Sequence, residues 1–331
     1  MLYPRKGTLM ALPSTLGVAS SGQSRRPEVR PVFLSRRSGT ARWRQAIPAY
    51  LYIVPSLVGT VRFVLVPIIA IMILGFFSWN LVGHPQYVGL SNYRAIFTSS
   101  LFWSSLQTTS EYVAMTVVPL VVLSLGLAML LRSKFPGAGA FRTIAVLPWL
   151  ATPVAIGVVW EWIFNPQDGV VNSIFSFFGF NGPAWLSSFT LALPTVAFVT
   201  VWQFLGYNML FFLAGLQGIP TSLYEASALD GAGLWHSFFR ITLPLLSPTM
   251  LFVTVIDMIS SFQVFDTVYV MTNGGPGYAT TVLNFSIYQH GFEFLQMGYA
   301  AALSMILFVI ILIVTVLQFL YFRKRLVYDL S

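Results

Sequence analysis

The chain has 331 residues, 56% of them hydrophobic and only 8% charged, against roughly 25% charged in a soluble domain, which excludes an ordinary soluble protein. It contains no cysteine, so disulfides, zinc-thiolate sites, iron-sulfur clusters and cysteine nucleophiles are excluded too. The net charge of +8 is local: residues 1–44 carry nine basic groups and one acid while the rest balances, which points away from a nucleic-acid surface.

The first 46 residues read as a disordered, basic cytoplasmic tail. They are rich in Ser, Pro and Arg, with too little apolar content to pack, and would lie beside anionic lipid. An uninterrupted apolar segment near the start is missing, so the tail does not read as a secretory signal. A transit peptide is the other reading of an Arg-rich, acid-poor start, and Met10 is an alternative initiator.

About 20 mostly apolar residues cross a bilayer as a helix, and six segments qualify: 49–79, 105–131, 142–164, 189–216, 244–271 and 297–322. Their continuous apolarity favours helices over the alternating strands of a barrel. Sixteen of the 18 Lys and Arg fall on one side: the tail, the 132–142 and 217–243 connections, and the C-terminal end with Arg323, Lys324 and Arg325. Both termini are therefore expected in the cytoplasm, with a transmembrane domain over 47–325 and a short cytoplasmic end at 326–331. The connections on the other side, "HPQYVGLSNY", "NPQDGVVN" and "TNGGPGYAT", carry turn chemistry rather than charge. They would cap a cavity, receive a partner, or serve as interfacial turns with aromatic anchors.

Between the fourth and fifth spans lies "EASALDGAGLWHSFFRITLP", Glu225 to Pro244. Ser222 and Glu225 have capping-box spacing, so a helix is expected to start near Ser222. Asp230 and Gly231 interrupt it, with Asp230 placed to cap the next helix. That second helix is expected over about 233–242, with Leu234, Trp235, Phe238 and Phe239 on one face and His236, Ser237 and Arg240 on the other. Pro244 ends this pattern and starts the fifth span. By periodicity alone Glu225 is a capping acid and the aromatics lie on the membrane surface.

Within the spans, polar groups are costly and mark a pathway or a partner. In the fifth span, positions 257, 260, 261 and 264 share a helical face, which puts Asp257, Ser260 and Ser261 together, with Gln263 close in sequence. In the fourth, Trp202, Gln203, Tyr207 and Asn208 form a second polar and aromatic cluster. Interhelical hydrogen bonding is the competing role for such groups, and Asp257 has Arg62 as a candidate partner across the bundle. Glu111 and Glu161 lie near the span ends. With Arg62 as the one intraspan cation, a neutral polyol or a zwitterionic ester fits these spans better than a bare phosphate.

The string Glu225-Ala226-Ser227, three residues, Gly231, nine residues, Ile241-x-Leu243-Pro244 resembles the EAA loop of permease subunits of binding-protein-dependent ATP-binding-cassette importers, with Ser227 where Ala is usual. "YVGLSNY", "LPWLATPVAIGVVWEWIFNPQDGVVN", "GYNMLFFLAGLQGIP" and "TNGGPGYAT" extend the resemblance to the carbohydrate-uptake, maltose-permease-like group over roughly 48–325. "YNMLFF" and "FNPQDG" look most like the A subunit of glycerol-3-phosphate and glycerophosphodiester importers, and disaccharide permeases use similar wording.

The resemblance implies an all-α bacterial inner-membrane protein of six transmembrane helices, with a coupling helix pair (220–244) between helices 4 and 5. It also implies a second homologous permease, an ATPase dimer that binds ATP and Mg, and an extracytoplasmic solute-binding protein. Glu225, Ala226, Ser227, Asp230, Gly231, Trp235, Phe239 and Pro244 would engage the ATPase. Trp202, Gln203, Tyr207, Asn208, Asp257, Ser260, Ser261 and Gln263 would lie along the solute pathway. The chain has no phosphate-binding Gly-x-x-x-x-Gly-Lys-Ser/Thr loop, so no nucleotide hydrolysis of its own is expected.

Two other classes compete. An ion-coupled secondary transporter would have more spans and a buried proton or sodium relay. A membrane enzyme would gather its titratable groups, whereas His84, His236 and His290 are scattered along the sequence.

Overall fold

A computed structural model of the chain describes residues 52–133 and 135–323. The predicted tail at 1–46 and the C-terminal end at 326–331 lie outside the described residues. The chain divides into two units, Met1–Val58 and Gly59–Ser331, and the second carries the sites described below.

Among the described residues, four helices are long and apolar enough to cross a membrane: α1 (Tyr52–Leu74), α3 (Ser100–Leu131), α7 (Ala192–Gln217) and α13 (Met297–Arg323). Two further helix pairs are apolar enough to make one span each if a bent pair counts as one. The helices α4 (Ala138–Leu150) and α5 (Pro153–Ile163) meet at 96°, and α9 (Leu234–Leu245) and α10 (Ser247–Phe262) meet at 68°. Shorter elements join them: β1 (Phe77–Ser78) paired antiparallel with β2 (Gln86–Tyr87), α2 (Ser91–Thr98), α6 (Val170–Phe177), α8 (Thr221–Leu229), α11 (Asp266–Met271) and α12 (Leu283–Tyr288). The small hairpin is the one departure from the all-helical expectation among the described residues.

The predicted segments 142–164 and 244–271 are therefore not continuous helices. In the first, Pro153 forces Thr152 out of the helical region, to ψ 144°. Thr152 then caps the new helix by accepting from the Ala155 amide. The break exposes the Ala151 carbonyl, which Gln203 Nε2 satisfies at 3.1 Å from α7. In the second, α10 stops at Phe262 and a new helix begins at Asp266. The Gln263 carbonyl left between them accepts from Asn284 Nδ2 at 2.7 Å.

Proline also explains two π-turns. Val61–Leu65 and Phe238–Thr242 are each wound one residue wide, and each is followed two residues later by a proline, Pro67 and Pro244. A proline has no N–H for the carbonyl four residues back and its ring crowds that carbonyl. Widening the preceding turn relieves the conflict, with the Val66 amide reaching Val61 and the Leu243 amide reaching Phe238. Pro244 accordingly sits inside α9 and does not start the fifth span. The bend falls two residues on, at Leu246, where Pro248 lies in the first turn of α10.

The central helix is α3, which contributes to all three packed clusters. Tyr112 meets Ile156, Val196, Val268 and Phe285. Leu125 and Ala128 meet Met209, Phe212 and Leu246. Val113 and Val117 meet Ile96, Phe262, Leu283 and Leu303. In lipid, helices associate by close fit and interhelical hydrogen bonds rather than by leaving water, and this bundle uses both. Gly206 of α7 lies against the Ala145 backbone of α4, and Gly298 of α13 against the Phe77 carbonyl. Thr116 of α3 donates to Ser261 of α10 at 3.1 Å, and Thr109 accepts from the Leu283 amide at 2.8 Å.

Candidate functional site

The bend between α4 and α5 opens a cavity of about 290 Å³ against α7, α10 and α3. Of the predicted pathway residues, Tyr207, Asp257, Ser260, Ser261 and Gln263 line it. Asp257 is 6% exposed. Its carboxylate is not paired with Arg62, whose exposed guanidinium lies 5.9 Å from the Phe63 ring. Instead Asn208, itself buried, donates from Nδ2 to Asp257 Oδ2 at 2.6 Å. The Oδ1 atom has no protein partner among the described residues.

Trp202 and Gln203 do not reach this cavity. Trp202 packs edge-on against Trp160, with centroids 5.1 Å apart, and Gln203 is the buried tie to the Ala151 carbonyl. The periodicity of α7 accounts for the difference: Thr200, Phe204 and Tyr207, spaced i, i+4 and i+7, form the stripe that lines the cavity. Trp149 and Asp266 also line it and were not anticipated. Trp149 stacks on Tyr207 at 4.4 Å and 14°, one turn along α4 from Ala145, where Gly206 of α7 lies against the α4 backbone.

At the end of the bundle where α7 leaves for α10, α8 and α9 form the expected helix, turn, helix. Its caps differ from the sequence reading. Helix α8 begins at Thr221 behind Pro220 with no side-chain cap, so Ser222 and Glu225 form no capping box. Pro220 itself fixes the entry. Asp230 closes α8 as its C-cap and does not cap α9, whose N-cap is Gly233. The corner is a Schellman turn. Gly231, at φ +73°, donates to the Ala228 carbonyl and Ala232 to the Ser227 carbonyl, at 3.1 and 3.0 Å.

Two hydroxyl pairs lock the halves together. Ser227 Oγ lies 2.9 Å from Ser237 Oγ, and Tyr224 Oη lies 3.0 Å from Thr242 Oγ1. Ser237 thus faces α8 rather than the polar edge with His236 and Arg240. The Arg132 guanidinium sits 4.7 Å from the Tyr224 ring and ties the pair to the end of α3.

What this rigid pair leaves uncovered is apolar. Leu234 is 91%, Trp235 76% and Phe239 56% exposed. Glu225 is exposed on α8 and makes no hydrogen bond among the described residues. A cleft of about 570 Å³ at the corner is lined by Ala226, Ser227, Asp230, Gly231 and Arg240, among others. A side chain at Gly231 meets nothing within 4 Å, so the position is limited by backbone conformation alone. Gly231→Val should therefore cost about 1–2 kcal/mol locally and Gly231→Asn much less. Hydrogen exchange at the Gly231 and Ala232 amides checks this, with faster exchange expected in the Val variant.

Bent apolar spans around a polar cavity, with a fixed amphipathic helix pair at one end, are the build of a membrane transport subunit. The chain belongs to the family of binding-protein-dependent transport system inner membrane components, whose model matches residues 102–327. It is a multi-pass inner-membrane protein.

Among curated relatives it is 34% identical over 279 residues to the sulfoquinovosyl glycerol transport system permease protein SmoG of Agrobacterium fabrum, covering 84% of this chain and 91% of that one. It is 35% identical over 302 residues to the sn-glycerol-3-phosphate transport system permease protein UgpA of Shigella flexneri, covering 91% and 99%. Among solved structures, a chain of a bacterial alginate ABC transporter in complex with an alginate pentasaccharide-bound periplasmic protein superposes with a TM-score of 0.75. That match is 22% identical and covers 84% of this chain and 94% of that one, which speaks to the fold.

Proposed function

We propose that this chain is one of two permease halves of an ATP-driven importer for a carbohydrate-type solute. Six spans, counting each bent pair as one, run from a basic cytoplasmic tail (1–46) through a transmembrane domain (47–325) to a cytoplasmic end (326–331). The one-sided distribution of Lys and Arg supports this orientation. A second homologous permease completes the pathway, a solute-binding protein delivers the solute from outside, and an ATPase dimer carrying ATP and Mg docks on the cytoplasmic side. The chain itself is non-catalytic.

The observation that carries this reading is the α8–α9 pair. It is braced from within by Ser227–Ser237 and Tyr224–Thr242, yet it leaves Leu234, Trp235 and Phe239 uncovered. Exposed large aromatics on a rigid support mark a protein interface, and the residues from Glu225 to Pro244 would be the seat of the ATPase. The solute is a glycerol ester, such as glycerol-3-phosphate or glycerophosphocholine, or alternatively a di- or oligosaccharide. Support comes from relatives that transport sulfoquinovosyl glycerol and sn-glycerol-3-phosphate, both built on glycerol.

Purification of the tagged chain from its native membrane tests the assembly. An ATPase and a second permease should accompany it, and the chain recovered alone and active would overturn the reading.

A further inference from the structure

We propose that the end of the bundle away from the α8–α9 pair binds one anionic phospholipid, with an acyl chain in a groove between α2, α3 and α13 and the phosphate at Arg94. Helices α3 and α7 run side by side in the same direction, Tyr112 against Val196 and Leu125 against Phe212. The start of α3 therefore lies opposite the helix pair, which follows the end of α7. There a groove of about 590 Å³ faces outward from the bundle, with Leu90 67%, Trp103 54% and Val309 45% exposed along it. It shares no residue with the cavity beside Asp257, so the site is independent of the solute.

The groove is built for hydrocarbon. No charged or amide side chain lines it. Helix α13 supplies Met305, Ile306, Val309 and Ile310, a stripe at helical spacing, and α3 supplies Phe102 and Leu106, one turn apart. Aromatic contacts fix the wall between α2 and α3. Phe97 meets Phe102 edge-on at 5.7 Å, Phe102 meets Trp103 at 5.1 Å, and Trp103 Nε1 donates to the Phe97 carbonyl at 3.0 Å. The one polar atom of the indole is thereby engaged within the protein. Asn92 holds α2 in place, donating from Nδ2 to the Gly75 and Phe77 carbonyls, both at 2.9 Å.

Charge selects the occupant. Arg94 comes four residues after Leu90 and three before Phe97, so it shares a face of α2 with two residues that line the groove. It is exposed, and no side chain among the described residues pairs with its guanidinium. In the sequence it is the one Lys or Arg in a connection on this side of the spans. A single cation beside an aromatic-walled apolar groove matches a molecule that carries a phosphate at the head of a hydrocarbon chain, and the arginine fork suits phosphate. Lipid tails are as apolar as leucine, so the groove selects by fit and the headgroup supplies the preference.

Native mass spectrometry of the full chain in mild detergent, with the subunits that co-purify, tests this. The probes are palmitoyl-oleoyl phosphatidylglycerol and phosphatidylethanolamine, which share their acyl chains and differ in net charge. Each copy of the chain should retain one phosphatidylglycerol in roughly fivefold preference, as one basic residue beside the headgroup provides. Arg94→Gln, at an exposed position, should keep the parental melting temperature and abolish the preference. Val309→Trp, which fills the groove from its outer side, should lower retention of both lipids about fivefold. Val118→Trp, exposed on α3 outside the groove, should not.

Equal retention of the two lipids by the parent, or a preference that survives Arg94→Gln, overturns the proposal. So does parental retention in Val309→Trp, which would reduce the site to a headgroup contact. A Val309→Trp variant that loses a second copy of the chain or another subunit, and no lipid, would show a protein interface instead and overturns it as well.

Discussion

Gly206→Ala should lower stability by about 2–3 kcal/mol and the midpoint of thermal unfolding in detergent by roughly 5–10 °C. Helix α7 crosses α4 at this residue, and a Cβ there would overlap the carbonyl of Ala145 and approach the Val146 nitrogen to 2.7 Å. The obstructing atoms are backbone, so no rotamer change relieves the overlap and the helices must separate. One turn along α4, Trp149 would move off Tyr207, and the tie from Gln203 to the Ala151 carbonyl would stretch. The cavity wall and the bend above it are thus held by the same close approach, and transport should fall with stability. Gly126→Ala is the control of opposite sign. It lies in α3, exposed, with nothing within 4 Å, and replacing a helical glycine there should add about 0.5–1 kcal/mol. Equal melting of the Gly206→Ala variant and the parent would show that the two helices are not in contact as described.

The spans were legible because hydrophobicity in a bilayer is a property of composition, which needs no tertiary information. Their bends depend on where a freed carbonyl finds a partner. Pro153 and Pro248 were visible signals for them, but Gln203 reaching Ala151 and Asn284 reaching Gln263 join residues far apart in sequence. The cavity divides in the same way. Positions 257, 260, 261 and 264 share a face by helical period alone, and all four line the cavity. On α7, of the cluster Trp202, Gln203, Tyr207 and Asn208, Tyr207 lines the cavity, in a stripe with Thr200 and Phe204 that the same period picks out. The stacking of Trp149 on Tyr207 joins residues 58 apart in sequence through the close approach of α4 and α7 at Gly206, which neither helix's own period reveals. In the helix pair, the spacing of Ser222 and Glu225 suggested a capping box, yet Pro220 takes the N-cap position and leaves both side chains on the surface.

That correction sharpens the expected result at Glu225. With no capping role and no hydrogen-bond partner among the described residues, Glu225→Gln should leave folding within about 0.5 kcal/mol of the parent. Gln has nearly the helix propensity of Glu and the same shape, so only the charge is lost. If that carboxylate meets a basic group on the ATPase, removing one member of a desolvated pair costs about 2–5 kcal/mol at the interface. Solute uptake should then fall at least tenfold in a variant whose melting is unchanged. Trp235→Ala separates the two parts of the surface. Trp235 is 76% exposed, so its loss should also spare folding but should reduce the amount of ATPase recovered with the chain, as removal of an aromatic anchor does. Glu225→Gln with parental uptake would show that the charge has no part in coupling. A lowered melting temperature in the same variant would show instead that Glu225 braces α8 from within, and that the exposed apolar face of α9 carries the docking without it.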